Sequence, residues 1–320
     1  MSYRFAIGQD PAQEIKRVVR EQIDRAVQEL TDENMDRHKG VHQARKRFKK
    51  IRALLRLVRH ELGDVYQHEN RMFRDLGRQL SQARDAEAMI ETFDSLCNTY
   101  KDQLQSQDLQ AVRKILEQRR QTIADEQVNL DKQIETAVKA LQEAKQLVMS
   151  WPLHVEKYKV LSSGLRQTYR RGRQARVQAY QTTTPEHFHE WRKRVKDHWY
   201  HIRLFQKTWP ELMKGYQQGL KILAELLGDD HDLTVFRQTL LTQPETFGTD
   251  RDIQVLLGLS EQRQTELRLQ AKMLGKRIFA EKSSRFCHRM QQYMAVWQAE
   301  SQQLAMIPTL PHSGVSAAFV

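Results

Sequence analysis

The chain has 320 residues, 39% hydrophobic and 29% charged, with a mean hydropathy of −0.72 and a formal net charge of +12. No apolar run approaches the roughly 18 residues that a membrane span needs, and the N-terminal MSYRFAIGQDPAQEIKRVV lacks the apolar stretch and cleavage site of a secretory signal. Two cysteines, Cys97 and Cys287, exclude a disulfide framework and a C-x-x-C site, so both read as buried or inert thiols and the expected location is cytoplasmic.

The predicted elements are helices nearly throughout, because the chain is rich in good helix formers and shows neither alternating strand patterns nor Asn-Gly or Asp-Gly hairpin signals. The fold class is all-α. Residues 1–9 read as an N-terminal segment, 10–150 and 151–302 as two helical repeats, and 303–320 as a flexible tail. Helix breaks are expected near Gly8–Pro11, Gly40, Gly63, Trp151–Pro152, Pro185, Pro210, Gly228, Pro244–Gly248 and Pro308–Pro311, whereas residues 78–151 contain neither Gly nor Pro.

The first strongly basic element runs from Arg37 to His60, with ten Lys or Arg and no acid. Steps of three and four residues from Val41 through Ala44, Phe48, Ile51, Leu55, Val58 and Leu62 make a core-facing seam. About 100° round the helix lies a shoulder of His42, Arg45, Lys49, Arg52, Arg56 and Arg59. Like charges at i,i+4 destabilise a helix by a few tenths of a kcal/mol, so this stripe is a poor stability device and a good anion contact. A second basic element, Gly164–Arg176, places Arg166, Arg170 and Arg173 on one face, with forked guanidinium groups suited to phosphate oxygens.

The third basic helix repeats the first. Shifted by 147, Val41–Leu57 falls on Phe188–Leu204 without a gap; His42, Arg45, Lys46, Arg47, Lys49, Arg56 and Leu57 match His189, Arg192, Lys193, Arg194, Lys196, Arg203 and Leu204. The copied seam is Phe188, Trp191, Val195, His198, Ile202, Phe205 and Trp209. The copied shoulder is His189, Arg192, Lys196, Trp199 and Arg203. The same offset carries Leu76, Leu80 and Asp85 onto Leu223, Leu227 and Asp232, which implies an internal duplication and two helical bundles related by a pseudo-twofold axis. Asp85 and Asp232 are expected to be structural, either as an N-cap, with Gly228 ending a helix before Asp232, or as a buried partner that orients one of the motif arginines. Lys46 and Lys193 point away from the shoulder and read as solvated.

At these residues the chain resembles the CHAD domain, the family named for its histidine-containing α-helical repeat. The resemblance rests on H-x-x-R-K-R-x-K at His42 and His189, L-G-D-D-H-D at Leu227–Asp232, Y-R-R-G-R at Tyr169–Arg173 and L-G-K-R-I-F-A-E-K at Leu274–Lys282, and covers roughly Asp10 to Gln302. It implies non-catalytic binding of inorganic polyphosphate at a basic groove or pore between two helical halves, with association to polyphosphate granules and no cofactor or metal. The residues implied are His42, Arg45, Lys49, Arg52, Arg56, Arg166, Arg170, Arg173, His189, Arg192, Lys196 and Arg203. The E-x-E-x-K signature of the triphosphate-tunnel enzymes fused to some relatives is absent, and Trp199 stands where the first copy has Arg52.

Two other readings remain. The basic stripes would also neutralise the backbone of a nucleic acid, which is the secondary polyanion partner, although no helix-turn-helix, zinc-finger or RNP signature accompanies them. A metal-dependent phosphohydrolase is suggested by His231–Asp232, but the matching pair is Arg84–Asp85, and no H-E-x-x-H or P-loop occurs. A membrane-surface role would need apolar residues exposed opposite the basic face, and the sequence gives no sign of them.

Overall fold

The computed structural model describes residues 3–6, 9–80, 82–104, 109–125, 130–155 and 158–306; the predicted tail beyond 306 and the side chain of Asp85 lie outside the described parts. The helices are α1 (Pro11–Thr31), α2 (Arg37–Leu57), α3 (Arg59–Leu62), α4 (Asp64–Gln79), α5 (Gln82–Thr99), α6 (Gln110–Asp125), α7 (Leu130–Leu147), α8 (Ser162–Gln181), α9 (Pro185–Leu204), α10 (Pro210–Thr242), α11 (Asp250–Ile278) and α12 (Ser283–Met306). No strand occurs among the described residues.

Local chemistry sets the helix starts. Asp10 and Asp36 cap α1 and α2 by accepting from the Gln13 and Lys39 N–H groups at 2.8 and 2.9 Å. Thr184 caps α9, whose first-turn Pro185 lacks only an N–H that has no helical partner anyway. A reciprocal pair between Thr249 and Asp252 opens α11.

The first seam is buried along its whole length from Val41 to Leu62, and the second from Phe188 to Phe205. Both feed one large core in which Phe48, Ile51 and Leu55 join Trp191, Val195 and Ile202. A smaller core, formed by Phe93, Leu96 and Val112 with Phe236 and Leu256, lies where α5 and α6 meet α10 and α11. Each core draws on both halves of the chain. Neighbours recur in order: α1 packs on α2 and α7 as α8 packs on α9 and α12, and α4 and α5 stand where the second half has the single helix α10.

Four expectations are corrected. Gly40 lies inside α2, where a Cβ would sit 2.3 Å from the Glu29 carbonyl oxygen, so it permits close approach of α1 and does not end a helix. Gly228 and Asp232 lie inside α10, so neither the break nor the cap expected there exists. The stretch 78–151, free of Gly and Pro, is nevertheless interrupted by a turn after Thr99. Trp209 is 47% exposed because α9 ends at Leu204 and the following 3-10 turn breaks the 3.6-residue period. No described helix is long and apolar enough to cross a membrane.

Candidate functional site

α2 and α9 cross in contact, pinned by a hydrogen bond from His201 Nε2 to the Ala53 carbonyl oxygen at 2.7 Å. Beside this crossing four predicted cations converge, Arg45 and Lys49 from α2 with Arg192 and Lys196 from α9. Burial among protein atoms, then the charges of Lys196, Arg45, Arg192 and Lys46, push the Lys49 ammonium down to about 7, although its surface remains open to solvent. Lys196 falls to about 8 for the same first reason and through Arg192; Asp232 and Glu225 act in the opposite direction.

The two arginines are held differently. Arg45 donates to the Leu80 carbonyl oxygen at 3.1 Å, at the C-terminal end of α4. Arg192 lies over Gly228 of α10, 3.5–4.0 Å from where a Cβ would sit, and its buried Nε has no hydrogen-bond partner among the described residues. Next to it the rings of His189 and His231 meet at 4.2 Å, tilted by 41°. Burial and neighbouring positive charge push both down to about 4, so at pH 7 they are neutral hydrogen-bonding groups. The Nδ1 atom of His189 is buried and without a partner among the described residues. His42 is half-buried at the corresponding place on α2.

The remaining predicted residues lie elsewhere. Arg52 donates to the Asn70 side chain at 3.1 Å and sits among Arg56, Asp197 and Arg74. The charge of Arg56 is met by the carboxylate of Asp197 at 3.2 Å, both largely buried. Arg203 lies over the rings of Trp199 and Tyr3, at 5.0 and 5.8 Å. On α8, Arg166 and Arg170 are exposed and Arg173 is half-buried. Arg170, with Arg171, acts on Arg59 past the end of α2, and none of these is among the strongest charges on Lys49 or Lys196.

Sequence reasoning missed three features of this place. Lys46 is exposed, as its solvated reading has it, yet its charge acts on both central lysines. His231, read as half of a metal dipeptide and as part of the Leu227–Asp232 motif, packs its ring against the motif histidine. Gly228, read as a break, is the floor beneath Arg192. A small residue on the helix facing the motif was the available signal for the last. No described group of three or more His, Cys, Asp or Glu side chains is placed to hold a metal. Burial pushes the Cys97 thiol up to about 11, and buried Cys287 donates to the Ser162 carbonyl oxygen at 3.2 Å, so both thiols stay protonated.

An all-helical fold with a cation cluster at the crossing of two like helices is thus the frame for comparison with known proteins. The signature of the CHAD domain family matches residues 17–241, well over half of the chain, and the chain belongs to that family. The crystal structure of the CHAD domain from the plant Ricinus communis is similar in fold, with a TM-score of 0.55 and 17% identity over 86% of this chain and 93% of that one. Comparison with curated proteins gives no match. The Leu274–Lys282 motif lies beyond the matched residues.

Proposed function

We propose that this CHAD domain protein binds inorganic polyphosphate, without turning it over, in a basic groove where α2 and α9 cross. The observation that carries the reading is Lys49. Its four strongest charged neighbours are all cations drawn from both helices, yet it is reachable by solvent. An exposed side chain whose strongest charged neighbours are all cations repels them, and that repulsion is relieved by an anion. A phosphate polymer is flexible, dense in charge and devoid of bases, so it asks for spaced cations and forked arginines and for no edge-reading groups. The internal duplication inferred from the sequence gives such a polymer equivalent contacts on the two helices. Granule association in the cytoplasm would follow from the same chemistry.

The test is a competition titration of polyphosphate against duplex DNA of equal phosphate content at physiological ionic strength. Polyphosphate is expected to win and to weaken steeply with salt, as multi-phosphate contacts do. Its affinity is also expected to fall as pH rises from 7 to 9, because Lys49 and Lys196 are then deprotonated in the free protein and must regain their protons to bind. Equal or tighter DNA binding would overturn the assignment and favour a nucleic-acid reading, for which half-buried Trp199 offers a stacking surface.

A further inference from the structure

The N-terminal segment is built into the helix crossing. Tyr3 is 3% exposed and Phe5 is fully buried. The Phe5 N–H donates to the Leu204 carbonyl oxygen at 3.0 Å, where α9 ends, and the Phe5 ring meets those of Tyr158 and Phe205 at 5.2 and 5.4 Å. Behind it the Ala6 N–H donates to the Glu14 carboxylate of α1 at 2.6 Å. The Ala6 and Arg4 carbonyl oxygens accept from Tyr158 and Arg17 at 3.3 and 3.0 Å. Residues 3–6 are therefore a strap, anchored on α1 and on the end of α9, that delivers the Tyr3 ring between α2 and α9.

The duplication explains why a ring stands there. The 147-residue offset pairs Arg56 with Arg203 and Asp197 with Lys50. At one of the two related places α2 and α9 are joined by the ion pair of Arg56 and Asp197 at 3.2 Å. At the other the same positions carry two cations, so the helices lack that bond. Burial, then the charges of Arg47 and Arg203, push the Lys50 ammonium down to about 7. The Tyr3 ring meets both cations, with Lys50 Nζ and Arg203 Cζ at 5.7 and 5.8 Å from its centroid. Its hydroxyl donates to the Lys50 carbonyl oxygen at 2.8 Å, and its edge meets the Tyr200 ring at 6.0 Å. A ring face attracts a cation, so one tyrosine joins two helices at the place where their own side chains repel.

We propose that Tyr3 is a positioning residue: the strap clamps α9 against α2 and so sets how closely Arg192 and Lys196 approach Lys49. This rests on the reading of that cluster as an anion site, but its test needs no anion. Lys49 adjoins Lys50 on α2, and Lys196 lies one turn before Tyr200 on α9, so the seating of the ring reaches the cluster within a single turn of either helix. The bond from His201 to the Ala53 carbonyl oxygen does not involve the ring, and without the ring the helices pivot about that bond instead of separating.

The test is the titration of Lys49 in the full chain with no ligand added, followed by NMR of 13C-labelled lysine, with the Lys49 signal assigned by its loss in Lys49→Gln. The charges that face Lys49 are Lys196 and Arg192 from α9 and Arg45 and Lys46 from α2. Tyr3→Leu fills the space but offers neither ring face nor hydroxyl. α9 is then expected to draw away, and Lys49, losing burial and the charges of Lys196 and Arg192, to titrate about one pH unit higher, a tenfold gain in proton affinity. Tyr3→Phe keeps the ring and is expected to titrate as the wild type does. If Tyr3→Leu folds poorly, Tyr3→Met is the more adaptable filler and carries the same expectation. Polyphosphate binding adds a second readout: the fall in affinity between pH 7 and 9 is expected to move to higher pH in Tyr3→Leu and to stay in place in Tyr3→Phe. Absence of polyphosphate binding in the wild type would sink the proposed function, while the lysine titration still decides the clamp. An unmoved Lys49 in Tyr3→Leu, or an equal rise in Tyr3→Phe, would overturn it, since a ring that merely fills the core does not reach the titration of Lys49.

Discussion

α2 and α9 carry the same H-x-x-R-K-R-x-K motif, yet they are fitted into the fold on different terms. On the buried side, Ile51 and Leu54 of α2 correspond to His198 and His201 of α9, both fully buried. On the shoulder, Arg45 donates to the Leu80 carbonyl oxygen, which follows the end of α4 at Gln79. α10 runs straight through the corresponding Leu227, so Arg192 has no such acceptor and lies over Gly228 with its Nε unpaired among the described residues. A motif settles which side chains face which way. The helices around it settle what those side chains hold.

The largest expected consequence is acid lability centred on α9. Burial pushes His201 down to about 4, against Asp197 and the Ala53 contact, which both act to raise it, and pushes His198 lower than an ordinary histidine with help from His201. An unfolded histidine takes up its proton near pH 6.5, whereas native His201 does so only near 4. Between those values the unfolded chain binds more protons, so stability falls as pH falls through this window and this contribution levels off below it. The loss is about 1.4 kcal/mol per pH unit for each such histidine, about 3 kcal/mol for His201 across the window. Denaturant titrations from pH 7 to 4 should therefore steepen with acid in the wild type and become shallower, though not flat, in His198→Ile/His201→Leu, which installs the residues of α2 and leaves the contributions of His189 and His231. An unchanged slope in that variant would place the acid sensitivity elsewhere.

A smaller difference separates the two shoulder arginines. Arg192→Gln is expected to lower polyphosphate affinity about tenfold, the equivalent of one charge-assisted contact, with no loss of stability because Arg192 Nε has no hydrogen-bond partner among the described residues. Arg45→Gln is expected to weaken binding less and to destabilise by about 1–3 kcal/mol, since the Leu80 carbonyl loses its donor. Parallel binding and unfolding measurements on the two variants check this. Equal losses in both would mean that the break between α4 and α5 is irrelevant to the site.

Helical class and both seams were legible because Gly and Pro spacing and a 3.6-residue apolar period are local properties of the chain. The convergence of Arg45, Lys49, Arg192 and Lys196 was legible for a related reason: equal positions on two like helices occupy equal settings. Departures from that pattern came from residues distant in sequence. Nothing near Arg56 announced Asp197, 141 residues away, and nothing near Arg203 announced Tyr3. Gly40 and Gly228 were misread because a glycine that ends a helix and one that makes room for a neighbour look identical until the neighbour is known.

The smallest expected effect concerns Lys46 and Lys193, which periodicity alone makes equivalent bystanders. In the structure Lys193 is paired with Glu190 at 2.6 Å, and that exposed pair contributes little. Lys46 instead acts on both Lys49 and Lys196. Lys46→Gln is therefore expected to weaken polyphosphate binding a few-fold at pH 6, whereas Lys193→Gln leaves it unchanged within error. The Lys46 effect carries its own pH signature. Near pH 8 much of Lys49 is deprotonated in the free wild-type protein, and removing Lys46 relieves the repulsion that helps hold it so. The variant then regains part of the missing charge on Lys49, and its deficit shrinks as pH rises. Titrations of both variants at pH 6 and pH 8 resolve this. A deficit that is the same at both pH values, or equal for the two lysines, would mean that Lys46 contributes only diffuse charge and that the lysines at the crossing titrate independently of it.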